Sequence, residues 1–250
     1  MSTITNISAY RFVSLPKPFL NELQNTLKKE TQRLSLKGTI LLSTEGINLF
    51  MAGEKRAIAE FQRFLTHFSY FTDLFFKESF SDFIPFKKML IKIKAEIIAF
   101  GVENIQPEKV TAPNLAPETL KKWLNEQSEV VLLDTRNTFE VQCGSFEKSI
   151  HLDLKHFREF PDAVQKIPQN LKKVPIVTFC TGGIRCEKAS ALLLNAGFEK
   201  VYQLEGGILN YFEKCGSAHY RGHCFVFDER IALTPTLAAV TEESESASLK

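Results

Sequence analysis

The sequence predicts an α/β protein whose N-terminal part is α+β, on two observations. Over residues 1–100, amphipathic segments with helical spacing are interleaved with short alternating runs. From about residue 117 the apolar runs become short, continuous and separated by helices, the pattern of strands buried on both faces of a parallel sheet. A chain of 250 residues exceeds what one hydrophobic core usually needs, so the two patterns are read as two domains.

In the first domain, residues 8–14 alternate as a strand. Phe19, Leu20, Leu23, Leu27 and Leu34 fall at helical spacing within 18–34, and Gly38 ends the turn that follows. Residues 39–43 and 47–51 read as a hairpin around Thr44, Glu45 and Gly46, residues 54–64 as a second amphipathic helix, and 74–77 and 89–98 as further strands. The order βαββαβ is that of a ferredoxin-like sandwich. Residues 101–116 contain Pro107 and Pro113 without a period and are assigned to a linker. Pro117 suits the first turn of a helix reaching about residue 127. The apolar runs 129–133, 176–179 and 201–204 then alternate with helices, as in a doubly wound parallel sheet. This second domain is taken as 117–215, with a closing segment 216–233; the Thr/Ser/Glu/Ala-rich tail 234–250 is expected to be disordered.

Composition narrows the class. The chain is 44% hydrophobic and 24% charged, as expected of a globular protein in water, and its 22 phenylalanines suffice to fill two moderate cores. A net charge of +2 proves no nucleic-acid partner, because affinity for phosphate depends on where Lys and Arg cluster. The start lacks the basic and apolar regions of a signal peptide, and no apolar run approaches the ~20 residues of a membrane span. The five cysteines, Cys143, Cys180, Cys186, Cys215 and Cys224, form no disulfide framework. A cytoplasmic, reducing compartment is therefore expected, with one thiol kept for its reactivity.

The chemistry concentrates in Cys180-Thr181-Gly182-Gly183-Ile184-Arg185. A buried strand ends at Phe179 and a helix begins near Arg185, closed by Gly197, so Cys180 sits where open α/β sheets place ligands. Gly182 and Gly183 let backbone N–H groups curl round an anion, the helix dipole adds about half a positive charge, and Arg185 adds a full one. Such sites lower a cysteine pKa by roughly one to several units. The bland reading, a small buried cysteine at a strand end, is weakened by this company. For Cys186, packing is favoured over resolving a disulfide with Cys180. Asp134 is read as structural, while Arg136 divides evenly between structure and pocket lining. No cofactor motif is found.

This loop resembles the active-site loop of the rhodanese superfamily. Leu133-Asp134-Thr135-Arg136, the segment Gly144 to Leu152 (with Ser145 where histidine is usual) and the segment Gly197 to Tyr211 resemble further rhodanese motifs in the same order. The related dual-specificity phosphatases carry a loop one residue longer and need a general acid, which is not recognisable here. More narrowly, Leu41 to Asn48, Pro85 to Met89, Glu96 to Ile98, Cys180 to Ser190 and Gly222 to Arg230 resemble the family long labelled rhodanese-related sulfurtransferases. Its members include the bacterial oxygen-dependent tRNA uridine hydroxylases, which install 5-hydroxyuridine at the wobble position. The resemblance spans about residues 5–232 and implies tRNA as substrate, molecular oxygen as co-substrate and Cys180 as the catalytic residue. Members commonly continue into a cysteine-rich tail where this chain has a short polar one.

Three functions stay in view: the wobble-uridine hydroxylase, a small-molecule sulfurtransferase working through a Cys180 persulfide from a sulfur donor, and a non-catalytic partner-binding module, which would be expected to lack Cys180. Lys88, Lys92 and Lys94 alternate with Met89, Ile91, Ile93 and Ala95, so one strand face would carry ammonium groups about 7 Å apart that offer candidate RNA contacts, although a solvated face alone would look the same. Cys215, His219, His223 and Cys224 fit no common zinc spacing, and no metal is assigned.

Overall fold

The computed structural model describes residues 3–240, which divide into two units between Ala99 and Phe100. The first contains β1 (Ile4–Phe12), α1 (Lys17–Arg33), β2 (Lys37–Ser43), β3 (Gly46–Glu54), α2 (Lys55–Thr66), β4 (Lys77–Ser81) and β5 (Met89–Ile93). Its sheet runs β4-β1-β3-β2-β5. Four antiparallel strands give the ferredoxin-like order, and β5 joins the edge parallel to β2.

The helices form where apolar residues recur every three or four positions, α1 with proline in its first turn. α1 buries Leu20, Leu23 and Leu27, and α2 buries Ile58, Phe61 and Leu65. They cover Ile40, Leu42, Ile47, Leu49 and Met51 of the sheet. Phe19, Phe64, Phe68 and Phe71 interlock mostly edge to face beside them, accounting for part of the phenylalanine excess.

Three strand boundaries differ from expectation. β1 begins at Ile4 because Thr5 and Asn6, which break the apolar alternation, are buried; Asn6 donates to Ser81 Oγ at 3.0 Å. β4 begins at Lys77 rather than ending there, since Leu74 turns into the core and pairing with β1 starts at Ser8↔Lys77. β5 stops at Ile93, one rung before Lys94 N–H donates to Leu42 O. Beyond it Ile97 is held by hairpin side chains: its N–H donates to Glu45 Oε1 at 2.6 Å and its carbonyl accepts from Asn48 Nδ2 at 3.1 Å.

The second unit contains β6 (Asn114–Leu115), α3 (Pro117–Asn125), β7 (Val131–Asp134), α4 (Thr138–Val141), β8 (Gly144–Phe146), β9 (Ile150–His151), α5 (Phe160–Val164), β10 (Ile176–Phe179), α6 (Ile184–Asn195), β11 (Val201–Leu204), α7 (Gly207–Cys215), β12 (Tyr220–Gly222), β13 (Cys224–Phe225) and β14 (Ala232–Leu233). Its main sheet, β6-β11-β10-β7-β9, is wholly parallel with β10 central. The stretch read as linker, 101–116, ends inside this sheet: Asn114 and Leu115 pair with β11, and Ala112 O accepts from Gln203 Nε2 at 2.9 Å. Two residues are too few for hydrophobic alternation to reveal a strand. Of the tail expected to be disordered, residues 241–250 lie outside the described residues, whereas Leu233 bridges Ala239 and Thr234 N–H donates to Ala238 O. Among the described residues no helix is long and apolar enough to cross a membrane.

Candidate active site

Cys180 follows the last residue of β10, and Gly183, at φ 104°, makes the left-handed turn from which α6 starts. The Gly183 N–H donates to Cys180 Sγ at 3.0 Å, and the cysteine is only 1% exposed. Burial by itself would push this thiol up. A hydrogen bond from Cys186, the charge of Arg185 and the N–H groups of Arg185 and Gly183 outweigh it and hold Cys180 well below the usual thiol range. Burial and the neighbouring thiolate push Cys186 the other way. The two thiols are thus biased in opposite directions, Cys180 toward the thiolate and Cys186 toward the thiol.

The structure corrects the expected role of Arg185. Its guanidinium does not close the loop as a free anion clamp; it forks onto Glu140, Nη1 to Oε2 at 2.5 Å and Nη2 to Oε1 at 2.7 Å, with both side chains buried. The positive charge still stands near Cys180, but these donors are committed to Glu140. Sequence reading missed Glu140. Its one visible signal is the Asn137–Glu140 spacing of a helix start, and Glu140 Oε2 indeed accepts from Asn137 N–H at 3.0 Å.

Asp134 and Arg136 form a second buried pair. Arg136 Nη2 meets Asp134 Oδ2 at 2.6 Å, Arg136's own N–H and Nε reach Oδ1 at 3.0 and 2.9 Å, and Nη2 also donates to Gly144 O at 2.7 Å. Ser145, standing where rhodaneses usually carry histidine, donates to Asp134 Oδ2 at 2.7 Å. The guanidinium lies 6.0 Å from the Phe179 ring centroid. These contacts tie the end of β7 to β8.

The loop's outer side is held by α7 and the closing segment. Ile208 N–H donates to Cys180 O at 2.9 Å and Leu209 N–H to Thr181 O at 3.1 Å. This approach requires Gly207: at φ 68° a Cβ there would stand 2.4 Å from Cys180 O. Thr181 Oγ1 donates to Phe225 O at 3.4 Å and also hydrogen-bonds Cys224, whose thiol burial pushes up to about 12. Cys143 and Cys215 are half-buried, with thiols raised by burial. Lys88, Lys92 and Lys94 are exposed on and beside β5 in the first unit, with Met89, Ile91 and Ile93 packed on its core; Ala95, expected on the buried face, is exposed because the strand has ended. Among the described residues, no three His, Cys, Asp or Glu side chains are grouped to hold a metal ion.

A cysteine at the end of the central strand of a parallel sheet, cradled by a glycine turn and a helix N-terminus, defines the second unit as a rhodanese-like domain. A rhodanese-like domain model matches residues 116–214, and a model described as the UPF0176 acylphosphatase-like domain matches 4–97. The chain as a whole belongs to the tRNA uridine(34) hydroxylase family. It is 49% identical to the Cupriavidus taiwanensis tRNA uridine(34) hydroxylase over 94% of this chain and 84% of that protein. It is also 49% identical to the Delftia acidovorans protein of that name over 95% and 92%. Among solved structures, a rhodanese-like domain from Anabaena is 23% identical over 44% of this chain and 79% of that one, with TM-score 0.37. A Pseudomonas aeruginosa thiosulfate sulfurtransferase is 21% identical over 55% and 23%, also with TM-score 0.37.

Proposed function

We propose that this chain hydroxylates uridine 34 of tRNA to 5-hydroxyuridine, with molecular oxygen as co-substrate and the Cys180 thiolate as its catalytic group. The observation that carries the assignment to Cys180 is its place between the end of β10 and the start of α6 in the rhodanese-like domain, where the Gly183 N–H donates to Sγ at 3.0 Å. Cys143, Cys215 and Cys224 all have raised thiols and offer no comparable nucleophile at neutral pH. Exposed Lys88, Lys92 and Lys94 supply phosphate contacts on the first unit, and the tRNA substrate makes the cytoplasm the place of action.

The same nest of N–H donors would also hold a Cys180 persulfide, which supports sulfane-sulfur transfer as the second reading. Nucleoside mass spectrometry of bulk tRNA separates the two. A strain lacking this protein and any second route to the modification should lose 5-hydroxyuridine, and a Cys180→Ser copy should not restore it. Undiminished wobble hydroxylation in that strain would leave sulfur transfer as the better account.

A further inference from the structure

We propose that Phe139 and Phe227, braced by Phe225, form a stacking platform beside the Cys180 loop for an unstacked base of the tRNA anticodon loop. This rests on the hydroxylase reading and assigns it a base-binding surface.

In the second unit Phe139 is 44% and Phe227 55% exposed, and they are the exposed aromatic rings among its described residues; the other exposed large apolar side chains, Val110 and Ile231, are aliphatic. The two rings are not scattered. Each ring centroid lies 5.1 Å from that of Phe225 and the two lie 6.3 Å from each other, all close to perpendicular. Three rings in mutual edge-to-face contact brace one another, so the exposed rings are held rather than loose.

The backbone holds them too. Phe139 lies in α4 immediately before Glu140, the residue that grips Arg185. Phe225 O accepts from Thr181 Oγ1, the residue after Cys180. Phe227 precedes a turn locked by a buried ion pair, in which Arg230 N–H and Nε donate to Asp228 Oδ1 at 3.0 and 2.8 Å and Nη2 meets Oδ2 at 2.6 Å. Val226 N–H closes that turn on Ile231 O. The cluster is thus anchored to the loop at Thr181, through Phe225 O, and at Arg185, through the neighbouring Glu140.

The chemistry of the surface selects its occupant. It is aromatic, and the adjoining Asp228 and Arg230 neutralise each other, which suits a flat, uncharged ring better than a phosphate or a charged peptide. Single-stranded RNA loops are recognised by splaying bases onto aromatic side chains. An enzyme acting on a ring carbon has to take that base out of its stack and hold it against the reacting group. Cys180 is buried at the head of the loop whose Thr181 donates to Phe225 O, so the platform stands on the loop that carries the reacting sulfur.

The test uses the full chain and an anticodon stem-loop RNA carrying 2-aminopurine next to uridine 34. Fluorescence quenching reports stacking, 5-hydroxyuridine formation on the unlabelled RNA reports turnover, and the Cys180 alkylation rate reports an intact loop. Phe139→Ala and Phe227→Ala should each weaken binding by about 5- to 150-fold, the range for loss of one base–aromatic stack, and reduce the quench while leaving alkylation unchanged. Phe227→Trp should retain binding and quench. Binding and turnover of the double alanine variant within twofold of wild type would overturn the platform. So would a Phe227→Trp variant as impaired as Phe227→Ala, since the ring would then be packing only, and so would alanine variants that spare RNA binding but lose capture of a protein. A wild-type chain that quenches the probe through these rings yet forms no 5-hydroxyuridine would refute the hydroxylase reading and leave the platform standing.

Discussion

At the scale of single residues, the site is a competition between burial and fixed charge around one sulfur. Burial opposes ionisation of Cys180, and Cys186, Arg185 and two N–H groups overcome it. The pH dependence of alkylation should show this directly. Because the Cys180 pKa is depressed, its labelling rate should rise less steeply between about pH 7 and 9 than that of a thiol with a raised pKa. The raised thiols of Cys143 and Cys215 should label about tenfold faster per pH unit over the same range, which peptide mass spectrometry resolves. A Cys180 rate climbing in parallel with the others would contradict the thiolate assignment.

Arg185→Ala removes the cation and strands Glu140 as a buried anion. It should cost about 3–5 kcal/mol of stability and move the Cys180 alkylation midpoint upward. Arg136→Ala should leave that midpoint in place, because the charge that lowers the Cys180 thiol is that of Arg185 and not of Arg136. Thermal denaturation with the alkylation profile checks both. Cys180 and its glycine loop were legible in the sequence because their chemistry is local. Glu140 was not, since it lies 45 positions from Arg185 and only the fold brings a counter-ion to that spot.

At the scale of elements, each side of the loop is fixed by a neighbour. α7 approaches the loop from its N-terminus, and Gly207 is the residue that lets it come so close. Gly207→Ala sets a Cβ against backbone atoms at a positive φ, so it should destabilise the chain by at least about 2 kcal/mol and depress turnover in the material that still folds. Urea denaturation would detect the first effect, and a wild-type midpoint would show that the helix can simply shift. β5 is an edge strand whose apolar side packs on the core while Lys88, Lys92 and Lys94 face water. Changing all three to Glu should weaken tRNA binding and flatten its log–log salt dependence by about two to three. Filter binding at several ionic strengths measures both, with circular dichroism expected to match wild type. The alternation of these residues was readable from sequence because an edge strand with one solvated face keeps period two. The early start of β1 was not, because its first residues bury polar side chains, and the amide of Asn6 finds its partner, Ser81 Oγ, only on β4.

At the scale of the whole molecule, two units have separate cores, and in the proposed function each has a part: a basic edge on the first and the Cys180 sulfur on the second. The two-part organisation followed from the change of hydrophobic period. The docking of residues 111–115 onto the second sheet did not, because it is built from side-chain contacts among Thr111, Glu187, Ser190 and Gln203 rather than from any local pattern. The clamp that Glu45 and Asn48 place on Ile97 has a kinetic consequence. These side chains project from the hairpin formed by β2 and β3, so Ile97 can release its N–H only when the clamp opens. Its amide should therefore exchange with solvent deuterium in step with the hairpin amides, as one cooperative unit, although no ladder bond protects it. Glu45→Ala should uncouple them, speeding exchange at Ile97 while the β2–β3 amides stay slow, so that the last turn of the first unit opens on its own clock.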